Sequence, residues 1–177
     1  ANNPVIRHFG SGTLLSVADR YFVVTAGHVI RKASDGQSTV GITGSLENYF
    51  IATAGKWIVS AQTQNGNDYD PFDIAIYQLE QSQIEKLGER TFLRIVDVSF
   101  LSDLSHGFFV VSGFPSIWST ETSGVFEKMN LRLLQYSTYA YNRSTAALSG
   151  YDSRYHLLLE AKAEHAVDFT GAVMNFS

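Results

Sequence analysis

The chain contains no cysteine among its 177 residues. This absence excludes disulfide bonds, thiolate nucleophiles and zinc sites built from cysteine. It fits a reducing compartment and slightly favours the cytoplasm, although an exported chain without disulfides would comply equally. The first four residues, Ala1 to Pro4, lack the charged start and the apolar core of a signal peptide.

Three further absences bear on partners. No apolar run approaches the roughly 18–20 residues that a membrane-spanning helix needs. The 13 basic residues are scattered and the net charge is −4, whereas nucleic-acid-binding surfaces usually have a basic face. The five histidines show no ligand spacing such as His-Glu-x-x-His. We therefore expect no membrane partner, no nucleic-acid partner and no metal site.

What the chain does contain is material for a β-rich core. Apolar residues make up 45% of it and charged residues 17%, which is typical of a globular protein. Many short β-branched and aromatic runs are separated by turn residues at intervals of roughly 8–12 residues. The clearest helical pattern is 80–90, where Ile84 and Leu87 share one face. These patterns predict an all-β barrel or sandwich with one helix.

The rest of the chain is most simply interpreted as a scaffold for the stretch from Tyr21 to Val29. Residues 13–17 and 21–25 are predicted to form two strands of a hairpin, with Ala18, Asp19 and Arg20 in the tight connection. After the second strand, two small residues lead to His28, which begins a short helical turn that we expect to end at Lys32. This arrangement predicts an imidazole at the rim of a sheet.

A second polar group stands at the start of another predicted strand. Asp73 precedes Ile74-Ala75-Ile76-Tyr77, 45 residues after His28. Phe72 and Ile74 flank it, which predicts a partly desolvated and rigid carboxylate. Asp70 is the competing carboxylate, but it precedes Pro71 and is expected to close a turn. We therefore favour Asp73 over Asp70 as the carboxylate of a candidate site.

Three motifs together resemble the trypsin-like, chymotrypsin-fold serine peptidases, most closely the cysteine-free bacterial branch. These are Gly10-Ser-Gly-Thr-Leu-Leu15, Val24-Thr-Ala-Gly-His28-Val29 and Asp73-Ile-Ala-Ile76. In that family the second motif carries the catalytic base and the third carries the carboxylate that orients it. Gly113-Phe114-Pro115 also resembles the end of a strand in the family's second barrel.

The resemblance implies a fold and a reaction. The fold would be all-β, with two six-stranded Greek-key barrels: about 1–80 for the first, 81–91 as a helical connection and 92–177 for an incomplete second. The reaction would be hydrolysis of a protein or peptide substrate without a cofactor, with His28 as general base and Asp73 as orienter. Histidine suits the first role because its unperturbed pKa lies near neutrality.

The nucleophile is missing from this pattern. The family places it in Gly-x-Ser-Gly-Gly, and the sequence has no such motif. Ser149 lacks the second glycine, and Thr170 is a poor substitute because its β-branch restricts χ1. Asp168-Phe-Thr-Gly171 resembles a turn that precedes the family's serine, which places that serine beyond Ser177. The chain would then be truncated or cleaved, or one module of a larger protein.

A non-catalytic interpretation stays open beside the enzymatic one. A pseudo-peptidase that keeps the barrels and uses its loops to hold a partner would also lack the serine motif. The presence of both His28 and Asp73 favours the enzyme, because neither residue has an evident structural role in the sequence.

Overall fold

The structure is a computed structural model that describes residues 8–35, 39–43, 50–61, 70–98, 107–114, 120–122, 128–130, 133–141, 157–160 and 166–167. The chain divides into two compact units. One comprises Gly12–Phe100, and the other combines Ala1–Ser11 with Leu101–Ser177. In the described residues the secondary structure is mostly β with two α-helices, which agrees with the expected all-β class at that level. None of the helices in the described ranges is long and apolar enough to cross a membrane.

The Gly12–Phe100 unit is built on a five-stranded sheet. Its first two strands, β1 (Gly12–Val17) and β2 (Arg20–Ala26), form the predicted antiparallel hairpin. Ala18 takes a φ of 52° in the two-residue turn between them, which is the positive φ that such tight hairpin turns require. The hairpin places the end of β2 directly before the helix that carries His28.

The remaining strands of this unit are short. They are β3 (Gly41–Ile42), β4 (Ile51–Ala52), β5 (Ile58–Val59), β6 (Ile74–Gln78) and β7 (Leu93–Arg94). The order in the large sheet is β5-β6-β2-β1-β7, while β3 and β4 pair separately. β7 runs parallel to β1 and is followed by a 3-10 helix at Ile95–Asp97. The residues of 92–98 predict an extended segment, but the segment forms a strand only in its first part.

The hydrophobic core lies on one face of the large sheet. Its buried members are Val23, Ile51, Tyr77, Leu79 and Leu87. Val23 and Tyr77 are cross-strand partners in β2 and β6, so they point to the same face. Residues packed around this cluster include Leu14, Tyr21, Ile42, Trp57, Ile84 and Phe92.

Two α-helices flank the sheet, and both differ in length from the sequence-based expectation. α1 spans Gly27–Asp35 instead of one turn, because Ile30 and Ala33 both bury against the unit and extend the apolar face. α2 spans Gln81–Leu87 instead of 80–90. Gly88 ends it with a φ of 65°, a conformation that glycine adopts without steric cost.

The second unit contains the other described strands. β8 (Phe108–Gly113), β11 (Leu134–Tyr139) and β12 (Ala166–Val167) form a three-stranded sheet in the order β12-β11-β8. β9 (Thr120–Thr122) and β10 (Lys128–Asn130) form a separate hairpin. The polar sequence of 117–124 predicts a loop. This prediction was wrong at β9, because a strand paired through its backbone does not need an apolar pattern.

The closed barrels expected from the sequence are not seen among the described residues. The sheets there are open, and the parallel pairing of β7 with β1 departs from an antiparallel barrel. The apolar run at 155–160 predicts another strand. Only 157–160 is described, and there Leu159 forms an isolated bridge to Ala140. The polar composition of 62–69 and 143–154 predicts two loops, and both segments lie outside the described residues.

Candidate active site

The sheet register brings His28 and Asp73 to the same edge. β2 and β6 are antiparallel, and Ala26 is the partner of Ile74. The residues that follow β2 and those that precede β6 therefore meet. His28 is the second residue of α1, and Asp73 comes immediately before β6. Two residues 45 positions apart in sequence become neighbours for this reason.

Three hydrogen bonds join Gly27 and His28 to Asp73. The backbone N–H of Gly27 donates to the carbonyl oxygen of Asp73 at 2.8 Å. The backbone N–H of His28 donates to Asp73 Oδ1 at 2.7 Å, and His28 Nδ1 lies 2.6 Å from Asp73 Oδ2. The carboxylate thus binds the main chain and the side chain of the same histidine.

The 2.6 Å contact fixes the roles of the two imidazole nitrogens. An ionised carboxylate only accepts hydrogen bonds, so Nδ1 carries the proton. In the neutral ring Nε2 then has a lone pair and is the nitrogen that accepts a proton from another group. The side chain of His28 is 67% exposed, which leaves the imidazole accessible to a reacting molecule. The arrangement can therefore act as an oriented general base.

The surroundings of Asp73 differ in part from the expectation. Its side chain is 37% exposed, and both neighbours that were expected to shield it, Phe72 and Ile74, are exposed. Hydrogen bonds hold the carboxylate instead of apolar packing. Its backbone φ is 43°, a left-handed conformation that aspartate tolerates better than most residues.

Arg31 extends the pair into a charged cluster. Its Nη2 donates to Asp73 Oδ1 at 2.9 Å, and its Nη1 donates to Asp70 Oδ2 at 3.0 Å. Nη1 also lies 3.3 Å from the carbonyl oxygen of Ser60. The guanidinium is 25% exposed and bridges two carboxylates that stand three residues apart.

Asp70 is the buried member of this cluster, with a side chain only 2% exposed. Burial opposes its ionisation, but the hydroxyl of Ser60, the backbone N–H groups of Asp73 and Phe72, and Arg31 all favour the charged form. Together they lower the pKa of Asp70 to about 2. The backbone N–H groups of Phe72 and Asp73 donate to its Oδ1 at 3.1 and 3.0 Å.

These contacts show which of the two candidate carboxylates lies against His28. Asp73 contacts His28, whereas Asp70 closes the turn before β6, as the sequence predicted, and pairs with Arg31. Sequence reasoning missed Arg31 and Ser60. A signal for Arg31 was present, because it lies three residues after His28 on a helix and therefore on the same side. Ser60 gave no signal in the sequence.

The structure does not describe the remaining sequence candidates. Ser149 and Thr170, the two weak candidates for the nucleophile, lie outside the described residues. Within the ranges that the structure describes, no group of three or more His, Asp or Glu side chains is arranged to hold a metal ion.

The chain matches no protein-family model, no curated protein and no solved structure. The interpretation of the site therefore depends on its own geometry and on the motifs in the sequence.

Proposed function

We propose that the chain is a trypsin-like serine endopeptidase domain that hydrolyses peptide bonds. His28 is the general base and then the general acid, Asp73 orients it, and the nucleophilic serine lies beyond residue 177. The substrate is a protein or peptide, and the mechanism needs no cofactor.

The observation that carries this proposal is the contact of 2.6 Å between His28 Nδ1 and Asp73 Oδ2. A carboxylate on Nδ1 fixes the tautomer that leaves Nε2 as the base and stabilises the imidazolium that forms when Nε2 takes a proton. A second hydrogen bond, from the backbone N–H of His28 to the same carboxylate, restricts the orientation further. A histidine that served only to pack at a strand end would need neither contact.

The first half of the reaction forms an acyl-enzyme. Nε2 of His28 takes the proton of the serine hydroxyl while the serine oxygen bonds to the carbonyl carbon of the substrate. The tetrahedral intermediate then collapses, the carbon–nitrogen bond breaks, and the imidazolium gives its proton to the departing amine. The ester that remains links the substrate's acyl group to the serine.

The second half regenerates the enzyme. Nε2 takes a proton from a water molecule while the water oxygen bonds to the ester carbon. When the second intermediate collapses, the carbon–oxygen bond to serine breaks and the imidazolium returns its proton to the serine oxygen. Backbone N–H groups near the serine would stabilise the negative oxygen in both intermediates.

The same proposal includes the finer architecture. About 1–80 would form a six-stranded Greek-key barrel, 81–91 a helical connection and 92–177 part of a second barrel that residues beyond 177 complete. What supports it is the mostly β secondary structure and the predicted hairpin β1–β2.

Hydrolysis of an unbiased peptide library tests the activity. The protein should include the residues encoded after Ser177, and a library is needed because the residues that shape the substrate pocket are not identified. We expect cleavage by the wild-type protein and a loss of about 10⁴-fold or more in His28→Ala. Cleavage of equal rate by His28→Ala would contradict the proposal.

One observation favours a second candidate function. No Gly-x-Ser-Gly-Gly motif occurs in the 177 residues, as expected of a catalytically inactive pseudo-peptidase that acts as a binding or regulatory module. The sequence encoded after Ser177 separates the two candidates. Such a motif within a few tens of residues favours the enzyme, whereas a stop codon directly after Ser177 favours the binding module.

A further inference from the structure

We propose that Arg31 is a positioning residue, which holds the carboxylate of Asp73 in the orientation that faces His28. Its effect on hydrolysis rests on the function proposed above. Its effect on the hydrogen bond between Asp73 and His28 does not, and it is measurable without any substrate.

Arg31 is suited to this task by its place on α1 and by the shape of its side chain. It lies three residues after His28, so both side chains leave the same side of the helix. The planar guanidinium presents its nitrogens as a rigid fork, and here the two terminal nitrogens bind different carboxylates. A lysine would offer a single point of charge in place of this fork.

The guanidinium of Arg31 bridges Asp73 and Asp70, and the Asp70 end of this bridge is fixed. Asp70 is buried, and its carboxylate also accepts hydrogen bonds from Ser60 Oγ at 2.5 Å and from two backbone N–H groups of the turn before β6. Ser60 is itself held by β6, because the backbone N–H of Ile74 donates to Ser60 Oγ at 2.9 Å. Arg31 is therefore held against the sheet through Asp70 and Ser60, and it restrains the carboxylate of Asp73 in turn.

The bridge determines which carboxylate oxygen faces the imidazole. Asp73 Oδ1 accepts two hydrogen bonds, from the backbone N–H of His28 and from Arg31 Nη2. Rotation of the carboxylate would weaken both bonds, so Oδ2 stays against His28 Nδ1. Without Arg31, one of the two restraints on Oδ1 is lost, and no cation separates the charges of Asp70 and Asp73.

Gly27 provides an independent observation of the same bridge. A Cβ atom at this position would lie 3.0 and 3.1 Å from the two terminal nitrogens of Arg31 and 3.2 Å from Asp73 Oδ1. These contacts are tighter than ordinary van der Waals separation. The guanidinium thus passes over a residue that has no side chain, and an alanine there would require the guanidinium or the Asp73 carboxylate to shift by a few tenths of an ångström.

The proton on His28 Nδ1 reports directly on this positioning. A proton in a short, charge-assisted hydrogen bond gives an NMR signal far downfield of ordinary N–H signals. We expect this signal in the wild-type protein and its loss or broadening in Arg31→Gln, at a temperature where circular dichroism shows both to be folded. Lys32→Gln removes a positive charge from the next, exposed position of α1 and should leave the signal unchanged.

A double-mutant cycle tests whether Gly27 acts through Arg31. Because the signal is already lost in Arg31→Gln, the cycle uses the free energy of unfolding, which Gly27→Ala should lower more in the wild-type background than in Arg31→Gln. In a hydrolysis assay, Arg31→Gln should lower kcat by about 100-fold with little change in KM, because a misplaced catalytic group slows chemistry without altering substrate contacts. If Arg31→Gln does not fold, Arg31→Lys should show a weakened signal in its place.

Two results would overturn the proposal. One is an unchanged downfield signal in folded Arg31→Gln, accompanied only by a lower melting temperature, which would make Arg31 structural. The other is an effect of Gly27→Ala that is equally large with and without Arg31. A protein that shows the predicted signals but cleaves no peptide would contradict the proposed function and support the positioning role.

Discussion

Asp73 combines an unusual backbone conformation with a carboxylate that accepts several hydrogen bonds. Its φ of 43° places it in a region that few residues with a Cβ adopt. Its carboxylate accepts hydrogen bonds from the backbone and imidazole of His28 and from Arg31. A substitution that tests the carboxylate must therefore preserve the backbone conformation.

Asp73→Asn meets this condition, because asparagine also tolerates positive φ and has nearly the same shape. We expect the variant to fold, to lose the downfield signal of His28 Nδ1–H, and to cleave peptides about 10⁴-fold more slowly. Asp19→Asn, in the exposed turn between β1 and β2, is the matched control and should behave as wild type. A folded Asp73→Asn variant with wild-type kcat would show that this carboxylate does not orient the base.

Asp70 predicts a specific dependence of stability on pH. Its pKa in the folded protein is lowered to about 2, whereas an unperturbed aspartate titrates near pH ~4. The resulting stabilisation is fully present above the unfolded pKa and is lost as the pH falls toward the folded pKa. Denaturant unfolding should therefore show the wild-type free energy of unfolding falling more steeply than that of Asp70→Asn between pH ~5 and pH ~2.

The same substitution also has a cost at neutral pH. Asp70→Asn removes a buried charge that accepts hydrogen bonds from Ser60 and Arg31, which should lower the free energy of unfolding by about 1.5–3 kcal/mol. Asp97→Asn removes an exposed partner of Arg94 and should have a small effect, since exposed ion pairs contribute little. Parallel pH profiles for wild type and Asp70→Asn would contradict this role of Asp70.

At the scale of elements, α2 is attached to the sheet by one buried glutamine. Gln83 Nε2 donates to the carbonyl oxygen of Ala52 at 2.7 Å and to Tyr77 Oη at 3.1 Å. Gln83 Oε1 accepts from the backbone N–H of Glu80 at 2.9 Å, which completes a capping box at the start of the helix. The same side chain thus starts α2 and joins it to β4 and β6.

Gln83→Ala should therefore destabilise the Gly12–Phe100 unit. The variant leaves the carbonyl of Ala52 and the N–H of Glu80 without this partner, at a cost of about 2–3 kcal/mol. Gln81→Ala, on the exposed side of the same helix, removes only a side-chain contact with Glu85 and should cost about 0.5 kcal/mol or less. Equal losses in the two variants, measured by denaturant unfolding, would contradict the proposed attachment.

The elements that the sequence predicted well are those with strong local signals. The hairpin of β1 and β2, the strand β6 and the central turns of α2 each combine a clear residue pattern with a nearby turn or cap. α1 was underestimated because its last turn, Lys32 to Asp35, is polar and followed by glycine, while the burial of Ala33 depends on tertiary packing. β9 was missed because backbone pairing with β10 holds it without an apolar pattern.

At the scale of the molecule, the sequence was sufficient to predict a mostly β fold class. It was not sufficient to predict whether the sheets close into barrels. Alternating and β-branched runs predict strands, but they do not determine which strands pair at the edges. In the described residues the edges of the large sheet are β5 and β7, each two residues long. Short edge strands limit pairing with other chains.

Sequence patterns predicted the two principal residues of the candidate site, His28 and Asp73, but not the residues that support them. His28 and Asp73 stand beside strand ends, where spacing and motif carry information. Arg31 and Ser60 contribute through distances across the fold, which depend on the antiparallel register of β2 and β6 and on the path of the turn at Asp70. A single sequence contains no direct record of that register.

Labelling with a fluorophosphonate tests the central claim most directly. These reagents react covalently with a serine that an adjacent histidine activates, so they report on His28, Asp73 and the missing nucleophile together. In the protein that includes the residues encoded after Ser177, we predict label on one serine beyond residue 177. Labelling should be lost in His28→Ala and be strongly slowed in Asp73→Asn. A folded wild-type protein that takes no label, or that is labelled equally well without His28, would contradict the account.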